Sequence, residues 1–103
     1  MSRRQTVCGA LTGGIIACGM ILGRKRAAAH ADRIPLRDET YPRVQTLMRL
    51  FEERFGSVEC REMVGCDFNT PDGRQRFKET DGLKQICEPA VTLVVETVPE
   101  LCD

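Results

Sequence analysis

A nearly unbroken apolar run, Val7 to Gly23, restricts what this 103-residue chain can become more than any other feature. Such a stretch must leave water, as a core helix, a membrane segment or the hydrophobic region of an export signal. Its flanks suit export. Ser2-Arg3-Arg4-Gln5 gives a basic start, and Ala27-Ala28-Ala29-His30-Ala31 gives a small-residue ending before Asp32, so residues 1–31 fit a signal peptide. The paired arginines also fit a twin-arginine signal, and Ile15-Ile16-Ala17-Cys18 fits a lipoprotein box with Cys18 as the lipidated residue. Other features oppose this. Gly9, Gly13, Gly14, Gly19 and Gly23 each cost a helix up to about 1 kcal/mol relative to alanine, while letting another element approach closely. A run of about 17 residues, rising about 1.5 Å each, falls short of a ~30 Å hydrocarbon core, so stable membrane insertion is not expected. Arg24-Lys25-Arg26 is also an awkward flank for cleavage. On these grounds core helix and export both stand.

The length fits a single domain, residues 1–103, with one core and little room for an elaborate active site. Fifteen basic residues balance fifteen acidic ones, so no net field gathers nucleic acid. Tryptophan is absent and the aromatics are Tyr41, Phe51, Phe55, Phe68 and Phe77, which leaves few rings for stacking bases. Nucleic-acid binding is therefore not expected. The anomaly is cysteine: Cys8, Cys18, Cys60, Cys66, Cys87 and Cys102 suit either a disulfide framework or a set of metal-binding or redox thiols.

Beyond a polar connection from Arg24 to Glu39, Val44, Leu47, Met48, Phe51 and Phe55 mark one face of a helix over Tyr41 to Phe55. Gly56 is placed to end it, Ser57 to cap a short helix through Val64, and Gly65 to close that helix. Cys66 to Gly82 carries turn signals, Asn69-Thr70-Pro71-Asp72-Gly73 among them, and is expected to be loop. Leu83, Ile86, Cys87, Ala90, Val94, Val98 and Leu101 share a last helical face interrupted by Pro89, with a strand around Val94-Val95 as the minority reading. The expected fold is all-α, a small compact array of three or four helices.

Cys8-Gly9-Ala10-Leu11-Thr12-Gly13, leading into the glycine-rich run, resembles the CGAxxG element of the C_GCAxxG_C_C family of redox-active cysteine proteins. Phe55-Gly56-Ser57-Val58-Glu59-Cys60-Arg61-Glu62-Met63-Val64-Gly65 resembles the family's phenylalanine-glycine-serine turn, cysteine and glycine-ended helix. Cys87 is similar to its final cysteine. The resemblance runs from about Arg3 to Leu101 and implies that the apolar run is the first core helix of a soluble fold. Cytoplasmic location is then expected, with export or a lipoprotein at Cys18 as the lesser alternative. Members also have an N-terminal helix with a further cysteine, which this sequence is expected to lack. Cys18, Cys66 and Cys102 match no family position.

The resemblance implies that Cys8, Cys60 and Cys87 are redox thiols working by thiol-disulfide exchange or electron transfer, with an unknown redox partner and no required cofactor. If Thr6 and Ser57 cap their helices, Cys8 and Cys60 fall in first turns, where free N–H groups and the helix dipole favour thiolate. Arg3 and Arg4 would reinforce this at Cys8, while Glu59 opposes it at Cys60. The same three cysteines are the ligands of the alternative reading, a zinc or iron-sulfur site, although no closely spaced cysteine pair is present. His30 is a solvated residue or a fourth ligand. A third reading is a non-catalytic helical interaction module. Without the N-terminal helix, apolar surface on the first and last helices would be uncovered, which predicts a homodimer.

Overall fold

The computed structural model describes residues 3–25 and 33–102. His30 and the small-residue ending of the export reading lie outside them. The chain forms α1 (Gly9–Lys25), α2 (Arg33–Phe55), α3 (Cys60–Val64), α4 (Pro71–Glu79), a π-helical turn (Leu83–Cys87) and α5 (Glu88–Cys102). The all-α expectation holds, with five α-helices among the described residues where three or four were expected. Among the described residues the only extended pairing is an isolated antiparallel bridge between Val7 and Glu59, and Val94-Val95 is helical.

Three helices enclose the core. From α1 come Leu11, Cys18 and Leu22, from α2 Leu47 and Phe51, and from α5 Ala90, Val94, Val98 and Cys102, the last four at strict i, i+4 spacing on one face. The apolar run is therefore core. Glycine has a specific use at Gly14: a Cβ there would collide with Val94 and stand 3.3 Å from Leu47, so its absence lets α1 and α5 close. Cys18 and Cys102, both fully buried, form a disulfide with Cα atoms 5.6 Å apart, joining the middle of α1 to the end of α5. The sulfur that the lipoprotein reading would lipidate is thus bonded to Cys102. No described helix is long and apolar enough to cross a membrane.

α2 begins at Arg33, so the second half of the expected polar connection is helix, and Pro42 lies within it. It stops where glycine permits it to: Gly56 takes φ +80°, and its N–H reaches the Glu52 carbonyl at 2.7 Å. Arg43 pairs with Glu39 at 3.4 Å and donates to the Leu101 carbonyl at the end of α5, while Arg54 at the end of α2 lines a groove with Glu88 at the start of α5, so the two helices run antiparallel.

The expected loop from Cys66 to Gly82 contains α4. Thr70 is its N-cap, with its hydroxyl accepting from Gly73 N–H at 3.0 Å, and Pro71 opens the first turn. Phe68 and Phe77 stack edge to face at 4.9 Å beside the otherwise polar helix. The interruption at Pro89 also has a definite form. With no N–H to donate to Gln85, proline forbids the regular bond at that turn, and the helix widens so that Glu88 N–H reaches Leu83 O.

Candidate functional site

Two short extended stretches hold the first two matched cysteines together. Cys8 N–H donates to the Val58 carbonyl at 2.8 Å, and Cys60 N–H donates to the Thr6 carbonyl at 2.7 Å, on either side of the Val7–Glu59 bridge. In this antiparallel register Cys60 lies opposite Thr6 and Cys8 opposite Val58. Residues two apart share a face, so Cys8 and Cys60 are diagonal neighbours on one side of the ribbon. Cys8 then enters α1, its carbonyl accepting from Thr12 N–H at 3.1 Å, and Cys60 is the first residue of α3.

Cys87 closes the π-helical turn at the start of α5. Its thiol lies near enough to Cys60 and Cys8 for a thiolate at either to disfavour its own ionisation. All three are free and half-buried. The remaining free cysteine, Cys66, is buried and donates its S–H to the Val64 carbonyl at 3.3 Å.

The capping expected for these thiols is corrected. α1 starts at Gly9, so Cys8 precedes the first turn rather than lying in it, and Thr6 is committed to the ribbon. α3 is preceded by Glu59, whose side chain makes no capping bond, while the Ser57 hydroxyl accepts from Glu59 N–H at 3.0 Å. The expected depression of the Cys60 pKa is corrected too. Burial pushes the thiol up, the Cys8 charge adds to this, and a hydrogen bond from Gln5 works against it. Five residues of α3 offer too short a dipole to offset burial. The Cys87 thiol is likewise raised, first by burial and then by the charges of Cys60 and Cys8.

Gln5, for which the sequence holds no signal, is the buried polar centre of this end. Its side-chain oxygen accepts from Phe68 N–H and its Nε2 donates to the Cys66 carbonyl, both at 2.7 Å. Its backbone adopts φ +57°, a left-handed conformation that this set of bonds must hold in place. Asn69 Nδ2 donates to the Arg3 carbonyl at 3.1 Å, fastening the N-terminal segment to the turn before α4.

A thiolate among them can attack a substrate disulfide, and a neighbouring cysteine can then attack the resulting mixed disulfide. Cys8, Cys60 and Cys87 are also the residues that could act as metal ligands. Among the described residues no group of three or more His, Cys, Asp or Glu side chains forms a metal-binding cluster.

No curated protein and no solved structure matches the chain. Residues 1–101 match the family described as "Putative redox-active protein (C_GCAxxG_C_C)". With almost the whole length covered, the chain belongs to the C_GCAxxG_C_C family.

Proposed function

We propose that this protein carries out thiol-disulfide exchange through Cys60, Cys8 and Cys87. The observation that carries the reading is the antiparallel ribbon that makes Cys8 and Cys60 diagonal neighbours on one side. Burial raises the Cys60 and Cys87 thiols, the Cys8 charge adds to the first and the charges of Cys60 and Cys8 to the second, so both favour the protonated form beside a neighbouring thiolate. One thiolate beside protonated partners is the state that exchange requires.

Cys60, diagonal to Cys8 across the ribbon and at the start of α3, is assigned as the attacking thiol. Its thiolate attacks one sulfur of a substrate disulfide, forming a mixed disulfide and releasing a thiolate that takes up a proton. Cys8 or Cys87 then loses its proton and attacks the Cys60 sulfur, displacing the second substrate thiol and leaving an internal disulfide. Two electrons and two protons pass from protein to substrate, and a dithiol reductant must restore the starting state.

The test begins with thiol titration in denaturant. Four thiols are expected before reduction and six after, since only Cys18 and Cys102 are paired. Oxidised glutathione should then convert two of the four into an internal disulfide. Cys60→Ser should abolish this conversion, and intact exchange in that variant would refute the assignment. Zinc and iron assays on the same sample address the alternative: stoichiometric metal that disappears in Cys60→Ser would make the cysteines ligands.

A homodimer is a separate proposal. It is supported by Ile16, Met20, Val91 and Val95, all at least half exposed, beside a groove floored by Ala10, Gly13, Gly14 and Ala17.

A further inference from the structure

Apart from the cysteines, three cations and two aromatic rings share one cleft. Arg3, Arg74 and Lys78 line it together with Phe68 and Phe77, and it encloses about 240 Å³. The phase of α4 accounts for its charge. Arg74, Phe77 and Lys78 stand at i, i+3 and i+4 and share a face, whereas Asp72 and Glu79 fall on the opposite side, where Glu79 accepts from Gln75 Nε2 at 3.2 Å. The Asp67 carboxylate, next to Phe68 in the chain, is engaged elsewhere, accepting from Asn69 N–H at 2.9 Å and facing Arg61 at 3.9 Å. Among the described residues no carboxylate pairs with Arg3, Arg74 or Lys78. The walls are held in place. Phe68 and Phe77 meet edge to face at 4.9 Å, and a Cβ on the buried Gly82 would collide with the Phe77 ring, so that glycine lets the ring take its seat. Arg74 Nη1 donates to the Phe68 carbonyl at 2.7 Å, which fixes the guanidinium beside the rings and leaves its other N–H groups for a ligand. Arg3 takes a left-handed φ of +62°, held by the bond from Asn69 Nδ2 to its carbonyl at 3.1 Å.

We propose that this cleft binds a small phosphate ester carrying one planar ring, with the ring against Phe68 and Phe77 and the phosphate among Arg3, Arg74 and Lys78. Each half of the cleft specifies one half of the ligand. Three cations without a carboxylate partner attract a dianion, and the forked donors of arginine match phosphate oxygens in pairs. Aromatic walls favour a flat ring over an aliphatic body, because rings stack as well as exclude water. The volume lies below the range of about 300–1,000 Å³ usual for drug-sized ligands, so it admits a ring and a phosphate but not a dinucleotide held whole. A nucleoside monophosphate and a simple aryl phosphate share this chemistry. No cysteine lines the cleft, so the proposal is independent of the exchange reading.

Isothermal titration calorimetry at low ionic strength tests it, with inorganic phosphate, phenyl phosphate and adenosine monophosphate as the probes. At least one of the two esters should bind about tenfold more tightly than inorganic phosphate, and the tighter of them identifies an aryl ester or a nucleotide as the ligand. Lys78 is exposed and its side chain makes no bond within the protein, so Lys78→Gln should leave the fold intact while weakening every probe about fivefold. Phe77→Leu should abolish the preference for a ring and leave inorganic phosphate unaffected. Equal binding of all three probes, no binding at millimolar concentration, or a ring preference that survives Phe77→Leu would overturn the proposal. So would tighter binding of an acidic peptide without aromatic residues, which would make the cleft a protein contact. Should Phe77→Leu not fold, as judged by circular dichroism, the unmodified protein answers the question. Nuclear Overhauser contacts are expected between the ring protons of the bound ester and those of Phe68 and Phe77, and a saturated complex without them sinks the proposal.

Discussion

At the scale of single residues, the Cys60 and Cys87 thiols are held protonated, first by burial and then by the charges of neighbouring cysteines. Removing the charge of Cys8 should relieve both of its neighbours. Cys8→Ser is expected to lower the alkylation midpoints of Cys60 and Cys87 together, measured as rate against pH, and an unchanged pair would show that the sulfurs do not interact. The raised pKa values also bear on stability. The folded chain holds the Cys60 and Cys87 protons at pH values where the unfolded chain has begun to release them. Their influence is therefore absent below the ordinary thiol range and destabilising above it. The urea midpoint should fall between pH 8 and pH 10.5, and fall less in Cys60→Ser/Cys87→Ser.

At the scale of elements, the two segments after α3 show how local chemistry positions the thiols. α4 has no fully buried residue, so its own end must help to hold it. Thr70→Ala removes the hydroxyl that satisfies Gly73 N–H and should cost about 1 kcal/mol, read from urea unfolding by circular dichroism. A cost near zero would mean that the Phe68–Phe77 contact alone secures the helix. The π-helical turn has a different cause, the missing N–H of Pro89, and it sets the phase with which Cys87 approaches the other thiols.

At the scale of the whole molecule, the Cys18–Cys102 disulfide closes a loop spanning nearly the entire chain, with a sequence separation of 84. Loss of a link over such a distance through Cys18→Ala/Cys102→Ala should cost about 2–5 kcal/mol, measured by denaturant unfolding against the oxidised parent. Both sulfurs are buried, so this bond should also outlast any disulfide among Cys8, Cys60 and Cys87 under mild reductant. The proposed dimer belongs to this scale as well. Light scattering at micromolar concentration should give twice the chain mass, and Met20→Glu with Val95→Glu should return the monomer. A monomeric parent would remove the dimer proposal.

Much of this was legible because it depends on short-range rules. The i, i+4 rows of Leu47 and Phe51 and of Ala90, Val94 and Val98 declare helical faces, and the glycines at 56 and 65 take the left-handed conformations that end two helices. The Thr70-Pro71-Asp72-Gly73 sequence carries a start signal for α4 yet reads as a turn, because a polar nine-residue helix shows no apolar stripe. The family resemblance marked Cys8, Cys60 and Cys87 without any geometry. Other features depend on distant segments meeting, which no local pattern encodes. Cys18 and Cys102 became partners only when α5 packed along α1 over Gly14. Gln5 became the centre of the thiol site only when residues 66 and 68 folded back onto it. The direction of the Cys60 pKa was decided the same way: helix-end position is a property of sequence, whereas burial, the larger influence, is a property of everything packed around it.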